Sequence, residues 1–182
     1  MSIIKLHDLN FTPFISEKEL SEIVSSLVNK VSMDLDPDEI PIFIGILNGS
    51  FLFAADFIRK YPHNCEVSFV KLSSYQGTSS TDVVHELIGI NEDLTDRTIV
   101  ILEDIIDTGT TLHKIYDSFK NKDIKQLKIA TLFFKPDVYR KELPIGYIGK
   151  NIEDKFIVGY GLDYNGLGRN LPAVYQLTTE TN

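Results

Sequence analysis

Apolar residues recur at helical spacing in the first clear element of the chain, residues 16–31. The apolar positions are Leu20, Ile23, Val24, Leu27, Val28 and Val31. Ser16 is followed three residues later by Glu19, a capping-box pattern that marks a helix N-terminus. The pattern predicts an amphipathic helix that packs its apolar face against a core and takes no part in chemistry.

Further along the chain, short apolar runs alternate with segments of helical spacing. Residues 42–47 (IFIGIL) form a continuous apolar run typical of a buried parallel strand, and residues 51–61 predict a helix that Pro62 ends. Strands are also predicted at 65–73, 83–90, 98–102, 127–134, 156–159 and 174–177, and a helix at 111–120. This alternation predicts an α/β fold, with a twisted, mainly parallel sheet flanked by helices on both faces.

Residues 74–82 (SYQGTSSTD) are small and polar, and they separate two of the predicted strands. The two strands would form a long hairpin that projects from the sheet, with these residues as its loop. From the pattern alone two interpretations stay open, a plain surface hairpin or a functional lid over a binding site.

Length and composition fit one domain over residues 1–182. Hydrophobic residues make up 43% and charged residues 24%, which is typical of globular proteins and excludes disordered and collagen-like classes. No run approaches the roughly 18 apolar residues of a membrane span, so a cytoplasmic protein without membrane contact is expected. Cys65 is the single cysteine, which excludes an intramolecular disulfide and a cysteine-based zinc site.

The net charge of −8 argues against nucleic acid as a partner, because such binding needs a clustered cationic face. A phosphorylated small molecule is still compatible with an acidic chain. Backbone amides, a helix N-terminus and a divalent metal can supply the positive charge locally.

The segment 101–112 (ILEDIIDTGTTL) carries the clearest chemistry in the chain. It places Glu103 and Asp104 at the end of a predicted buried strand, where a carboxylate pair is costly to desolvate unless it faces a ligand cleft. Asp107 and the Thr/Gly turn at 108–111 then open a predicted helix, whose free N–H groups and dipole favour a phosphate. From spacing alone, a surface turn with an Asp or Thr helix cap fits equally well.

Two other nucleotide-binding motifs are excluded by the sequence. No GxxxxGK[ST] segment exists, which argues against a P-loop NTPase, and no GxGxxG follows the first buried strand, which argues against a dinucleotide site. The residues alone therefore predict a phosphate-binding cleft and leave its reaction open.

The order of an apolar strand, Glu-Asp, two aliphatic residues and Asp-Thr-Gly-Thr-Thr resembles the signature of type I phosphoribosyltransferases. In that family it binds 5-phosphoribosyl 1-pyrophosphate (PRPP). From about residue 42 onward the chain is similar to the hypoxanthine-guanine branch. The supporting matches are LNGS at 47–50, KLSSY at 71–75, Lys135, DKFIVGYGLDYN at 154–165, and Arg169. The resemblance implies the type I fold, with a small hood region and a flexible hairpin loop that begins at Ser74 and Tyr75.

The resemblance also assigns the PRPP side of the cleft. The residues implied for the 5′-phosphate are Asp107, Thr108, Gly109, Thr110 and Thr111. Those implied for pyrophosphate are Leu47, Asn48, Gly49 and Arg169, with a non-proline cis peptide at Leu47-Asn48. Glu103 and Asp104 would hold the ribose hydroxyls, and together with Asp163 they are the implied Mg²⁺ ligands. Asp107 would be the general base for the purine N7 proton as N9 attacks the ribose C1′.

On the purine side, the resemblance implies that Lys135 donates to the purine O6, which selects hypoxanthine and guanine over adenine. Phe156 would stack on the base, the Ile157 backbone would read its edge, and Asp163 would lie between the base, metal and pyrophosphate. The residue patterns alone favour blander roles, with Lys135 as a lysine at a strand end and Phe156 as core. The implied reaction is purine salvage, giving IMP or GMP, by a homodimer or homotetramer.

Two alternatives remain open within the resemblance. One is a non-catalytic PRPP-sensing regulator of the same fold, although the acidic charge and the lack of a helix-turn-helix extension count against it. The other is a phosphoribosyltransferase that prefers xanthine. The sequence departs from mammalian-type members at Asn48 and Thr110, where those members carry lysine, so greater dependence on Mg²⁺ and Arg169 is expected.

Overall fold

A computed structural model describes residues 2–74, 84–90, 92–119 and 122–178. The helices within these ranges are α1 (Glu17–Asp34), α2 (Phe51–Lys60) and α3 (Thr110–Phe119). The strands are β1 (Ile4–Leu6), β2 (Leu9–Ile15), β3 (Ile42–Ile46), β4 (Glu66–Ser74), β5 (Val84–Ile88), β6 (Thr98–Ile106), β7 (Gln126–Phe134), β8 (Tyr147–Asn151), β9 (Ile157–Val158) and β10 (Val174–Leu177). None of these helices is long and apolar enough to cross a membrane.

The main sheet has the strand order β5-β4-β3-β6-β7-β8, with parallel pairing everywhere except between β4 and β5. Its two faces bury alternate residues of the same strands. Phe43 packs in the core cluster that holds α1 and α2, whereas Ile42 and Ile44 pack in the cluster that holds α3. The predicted α/β fold with helices on both faces is therefore confirmed.

The N-terminus of α1 confirms the capping-box prediction, since the Ser16 side chain accepts a hydrogen bond from the Glu19 amide at 3.2 Å. The helix runs three residues beyond the predicted end at Val31 and stops at Asp34. Its extension includes Met33, which is highly exposed. The apolar pattern therefore located the buried face of the helix and missed its solvated end.

A second, smaller sheet of order β1-β2-β10-β9 is antiparallel and forms the implied hood. Neither β1 nor β2 was predicted, and Pro13 lies within β2. The pairing of β2 with β10 joins residues about 160 positions apart, such as Ile15 and Val174. A local sequence pattern carries no information about such a contact, which explains why these strands were missed.

The predicted hairpin is confirmed for its described backbone, where β4 and β5 pair antiparallel at the edge of the main sheet. Ser74 is the last residue of β4. Tyr75 and the rest of the predicted loop lie outside the described residues, so the lid remains a prediction.

Candidate active site

The site lies at the carboxyl edge of the main sheet, where β3, β6 and β7 end side by side. Strand β6 is longer than predicted, because β7 continues to pair with it as far as Ile106 and Phe134. Pairing with β3 stops earlier, at Gly45 and Leu102. Glu103 and the residues after it therefore overhang the end of β3 and form one wall of a cleft.

Residues 107–111 form a tight loop that enters α3 at Thr110, one residue before the predicted start. Gly109 has a φ of 80°, which side chains rarely adopt, and the Thr108 and Thr110 hydroxyl oxygens lie 3.1 Å apart. The loop lines a cavity of about 90 Å³ together with Glu103. Unpaired amides at the helix N-terminus make this cavity suited to an anion.

Tyr139 covers this loop and was missed by sequence reasoning. A Cβ on Gly109 would lie 2.5 Å from the Tyr139 ring, so the ring leaves room only for glycine. The Tyr139 hydroxyl accepts from the Leu143 amide at 3.1 Å, and its ring packs edge-on against Phe134. No motif signal could have found Tyr139, because its contact depends on how the segment after β7 folds back.

The acid pair is buried, with Glu103 and Asp104 each 7% exposed. Burial and then the neighbouring Asp104 charge raise the pKa of Glu103 well above its usual range. Burial raises the pKa of Asp104 to about 6, although backbone amides and Arg169 oppose the shift. Among the described residues, Glu103 Oε2 has no hydrogen-bond partner. A buried pair of this kind is poised for a positively charged ligand or for hydroxyl donors.

Replacing Asp104 by Asn is expected to stabilise the ligand-free protein at pH 8 by about 1–3 kcal/mol. A carboxyl whose folded-state pKa is raised contributes most stability below its unfolded pKa, here 3.8, and loses it as the pH rises through about 6. The gain from the substitution should therefore be larger at pH 8 than at pH 4. Urea unfolding of metal-free protein measures this, with the exposed Asp38→Asn as control. Equal gains at both pH values would contradict the expectation.

The turn after β3 lies against the acid pair. It contains the implied cis peptide between Leu47 and Asn48. A Cβ on Gly49 would overlap the Asp104 carboxylate, and a Cβ on Gly161 would overlap the Gly49 carbonyl oxygen. The turn is therefore held between β6 and the segment around Gly161, and its glycines permit this close approach.

Arg169 connects Asp163 to the segment around Gly161. Its Nη2 contacts Asp163 Oδ1 at 2.6 Å, and its Nη1 donates to the Gly161 carbonyl at 2.7 Å. The other Asp163 oxygen accepts from the Gly166 amide at 2.7 Å. The Arg169 guanidinium partly opposes the rise that burial causes in the pKa of Asp104, so a cation lies near the acid pair.

The three implied Mg²⁺ ligands do not converge. Within the described ranges, no group of three or more His, Cys, Asp or Glu residues is placed to hold a metal. Asp163 is instead bound by Arg169 and Gly166. The pair Glu103-Asp104 still fits Mg²⁺, because this ion prefers oxygen ligands and is commonly held by one or two carboxylates plus substrate phosphates.

Lys135 follows β7 and its ammonium is buried, only 7% exposed. Nζ contacts Asp107 Oδ2 at 3.3 Å and Asp154 Oδ1 at 3.0 Å. Lys135 does lie at a strand end, but its ammonium is buried and does not reach solvent as that of a snorkelling lysine would. Asp154 was missed as a site residue, although it stands first in the quoted segment DKFIVGYGLDYN.

Phe156 is 45% exposed, so its interpretation as core is also wrong. The Tyr164 ring packs edge-on against the Phe156 ring, with 5.9 Å between the ring centroids. The Phe11 ring of the hood also lies near the Phe156 ring, at a centroid distance of 6.2 Å. Ile157 pairs with Gln176 in the hood sheet. An exposed, supported ring beside a backbone edge provides a surface on which a flat base can stack.

Comparison with known proteins decides the family. The sequence model of the phosphoribosyl transferase domain matches residues 16–165. The chain belongs to the phosphoribosyltransferase family. It is 36% identical over 167 residues to a hypoxanthine-guanine phosphoribosyltransferase of Staphylococcus epidermidis, which covers 91% of this chain and 93% of that relative.

Solved phosphoribosyltransferases share the fold. A hypoxanthine-guanine phosphoribosyltransferase from Bacillus anthracis, crystallised with HEPES in its active site, has a TM-score of 0.85 and 38% identity, covering 96% of this chain and 100% of that one. A hypoxanthine phosphoribosyltransferase from Staphylococcus aureus has a TM-score of 0.84 and 34% identity, covering 91% and 90%. In this phosphoribosyltransferase, residues 107–111, called the anion loop below, line one cavity with Glu103. Lys135 connects Asp107 of this loop to Asp154, two residues before Phe156.

Proposed function

We propose that this phosphoribosyltransferase is a purine salvage enzyme that transfers the 5-phosphoribosyl group of PRPP to N9 of hypoxanthine and guanine. The products would be IMP or GMP and pyrophosphate. The observation that carries the proposal is the 3.3 Å contact between Asp107 of the anion loop and the buried Lys135. In this proposal, the contact joins a residue assigned to the 5′-phosphate to the lysine assigned to the purine. The names of the relatives from Staphylococcus epidermidis and Bacillus anthracis support the same substrates.

In the proposed reaction, the amides and hydroxyls of residues 107–111 hold the 5′-phosphate, and Glu103 with Asp104 hold the ribose hydroxyls. The Asp107 carboxylate accepts the N7 proton while N9 forms a bond to C1′ and the bond from C1′ to pyrophosphate breaks. Positive charge develops on the ribose ring, as in glycoside transfer. The turn 47–49 and Arg169 would receive the departing pyrophosphate.

Mg²⁺ is proposed as the cofactor, held by Glu103 and Asp104, where it would neutralise charge on PRPP and the leaving pyrophosphate. Glu103 Oε2, which has no hydrogen-bond partner among the described residues, supports this assignment. Asp163 is proposed to face the same region while Arg169 keeps it in place. Asn48 and Thr110 stand where mammalian-type members carry lysine. Arg169 is therefore the chief side-chain cation proposed for pyrophosphate.

Discrimination between purines is proposed to come from Lys135 and Phe156. The Lys135 ammonium can only donate, so it suits the O6 acceptor of hypoxanthine and guanine and rejects the amine of adenine. Phe156 would stack on either base, and the Ile157 backbone would contact its edge. The choice between guanine and xanthine depends on that edge, and no contact in the described structure favours xanthine.

The remaining parts of the proposal concern the whole molecule. We assign all of residues 1–182 to one phosphoribosyltransferase domain, acting as a cytoplasmic homodimer or homotetramer. The hairpin loop that begins at Ser74 and Tyr75 is proposed to close over the bound substrates. No observation favours the regulator, which would bind PRPP without turnover.

The proposal is tested by incubating the protein with PRPP and Mg²⁺ and, separately, hypoxanthine, guanine, xanthine or adenine. Nucleotide and pyrophosphate should form in equal amounts with hypoxanthine and guanine and far more slowly with adenine. Reactions with EDTA in place of Mg²⁺ serve as control. Absence of product with every 6-oxopurine would contradict the enzymatic role, and PRPP binding without turnover would favour the regulator. Fastest turnover of xanthine would correct the substrate.

A further inference from the structure

The Lys135 ammonium has three N–H donors, and the described residues use two of them. One contacts Asp107 at 3.3 Å and one contacts Asp154 at 3.0 Å. One donor is left for a ligand. A single carboxylate would leave the flexible lysine side chain free to swing about that one contact. Two carboxylates fix the position of Nζ and therefore the direction of the third N–H.

Asp154 is itself held in place relative to Lys135. The Ile152 amide donates to the carbonyl of Phe134, the residue before Lys135, at 2.9 Å. Two residues after Asp154 the chain reaches Phe156 and enters β9. The Asp154 segment therefore connects the end of β7 to the exposed ring on which a base would stack.

Of the two carboxylates that contact Lys135, only Asp107 takes part in the proposed proton transfer. In the proposed reaction, Asp107 takes up a proton and loses its negative charge at the moment of transfer. Asp154 lies outside the anion loop and keeps its charge through that step. It can therefore hold the Lys135 ammonium when the attraction of Asp107 weakens.

We propose that Asp154 is a positioning residue for the purine site, which fixes the Lys135 ammonium with one N–H aimed at the base and so determines the preference for an oxo group at C6. This inference rests on the proposed function. It assigns to Asp154 a role in purine recognition and none in binding PRPP.

Asp154→Asn removes the charge and keeps the size of the side chain. It should raise KM for hypoxanthine about tenfold while KM for PRPP changes by less than about twofold, because one charge-assisted contact to Lys135 is weakened. The ratio of kcat/KM for hypoxanthine to that for adenine should fall by about tenfold. Asp154→Glu retains a carboxylate and should recover most of the hypoxanthine affinity.

The matched control is Glu153→Gln, which removes the same charge from the neighbouring residue. Glu153 is exposed and pairs with Lys155 at 2.9 Å, away from Lys135. Both variants should fold, since the Asp154 side chain is 57% exposed, and thermal unfolding checks this. The inference is overturned if Asp154→Asn behaves as the control does, or if both KM values and kcat change together without rescue by Asp154→Glu. An inactive wild-type protein would instead overturn the proposed function itself.

Discussion

Replacing Asp107 by Asn is expected to lower kcat about 10²- to 10⁴-fold, the usual contribution of a general base. The amide cannot accept the purine N7 proton, but the backbone amides of residues 107–111 that hold the 5′-phosphate remain. PRPP binding should therefore change little. Steady-state kinetics with hypoxanthine, together with direct titration of PRPP binding, separates the two quantities.

Asp137→Asn provides the matched control for the Asp107 experiment. Asp137 is exposed, lies two residues after Lys135, and loses the same charge. Its kcat should stay near that of the wild-type protein. If Asp107→Asn weakens PRPP binding as much as it slows turnover, Asp107 serves the phosphate loop and another group is the base.

Replacing Gly161 by Ala is expected to destabilise the protein by about 2–5 kcal/mol and to abolish most of its turnover. Gly161 has a φ of 101°, and an added Cβ would overlap the Gly49 carbonyl oxygen. Relief requires movement of the backbone turn that lies against Asp104, so stability and pyrophosphate handling should fall together. Denaturant unfolding and the PRPP assay measure the two effects.

Gly166→Ala separates backbone strain from overlap in that experiment. Gly166 also has a positive φ, 87°, but a Cβ there would meet no atom of the described residues within 4 Å. Gly166→Ala should lower the free energy of unfolding only by the backbone strain, about 1–2 kcal/mol, and turnover should be nearly unchanged. Equal losses for both variants would show that the contact between Gly161 and Gly49 is unimportant.

The main sheet could be predicted because its strands are buried on both faces and therefore read as apolar runs. Ile42–Ile46 is the clearest case, with every residue buried. Strand β8, Tyr147–Asn151, was missed because it lies at the sheet edge and carries glycine, lysine and asparagine. The hood strands were missed because long-range pairing defines them and their own pattern does not.

The cavity at the end of β6 could be predicted from sequence because the residues that line it lie close together in the chain, from Glu103 to Leu112. Its assignment to PRPP stays a prediction. The residues proposed for the purine side were assigned only through the family resemblance. The structure then corrected the roles that the residue patterns alone favoured for Lys135 and Phe156. Tyr139 and Asp154 were missed because each acts on a residue about 20 to 30 positions away. Only the folded chain brings Asp154 to the Lys135 ammonium.

The pairing of β10 with β2 has a consequence for the order in which the protein is completed during synthesis. The anion loop depends on β6, β7 and α3, all of which have been synthesised before residue 140 is added. The hood that supports Phe156 and Ile157 closes only when residues 174–177 reach the N-terminal hairpin. The residues of the anion loop are therefore synthesised before β10, whose pairing with β2 and β9 completes the sheet that holds Ile157.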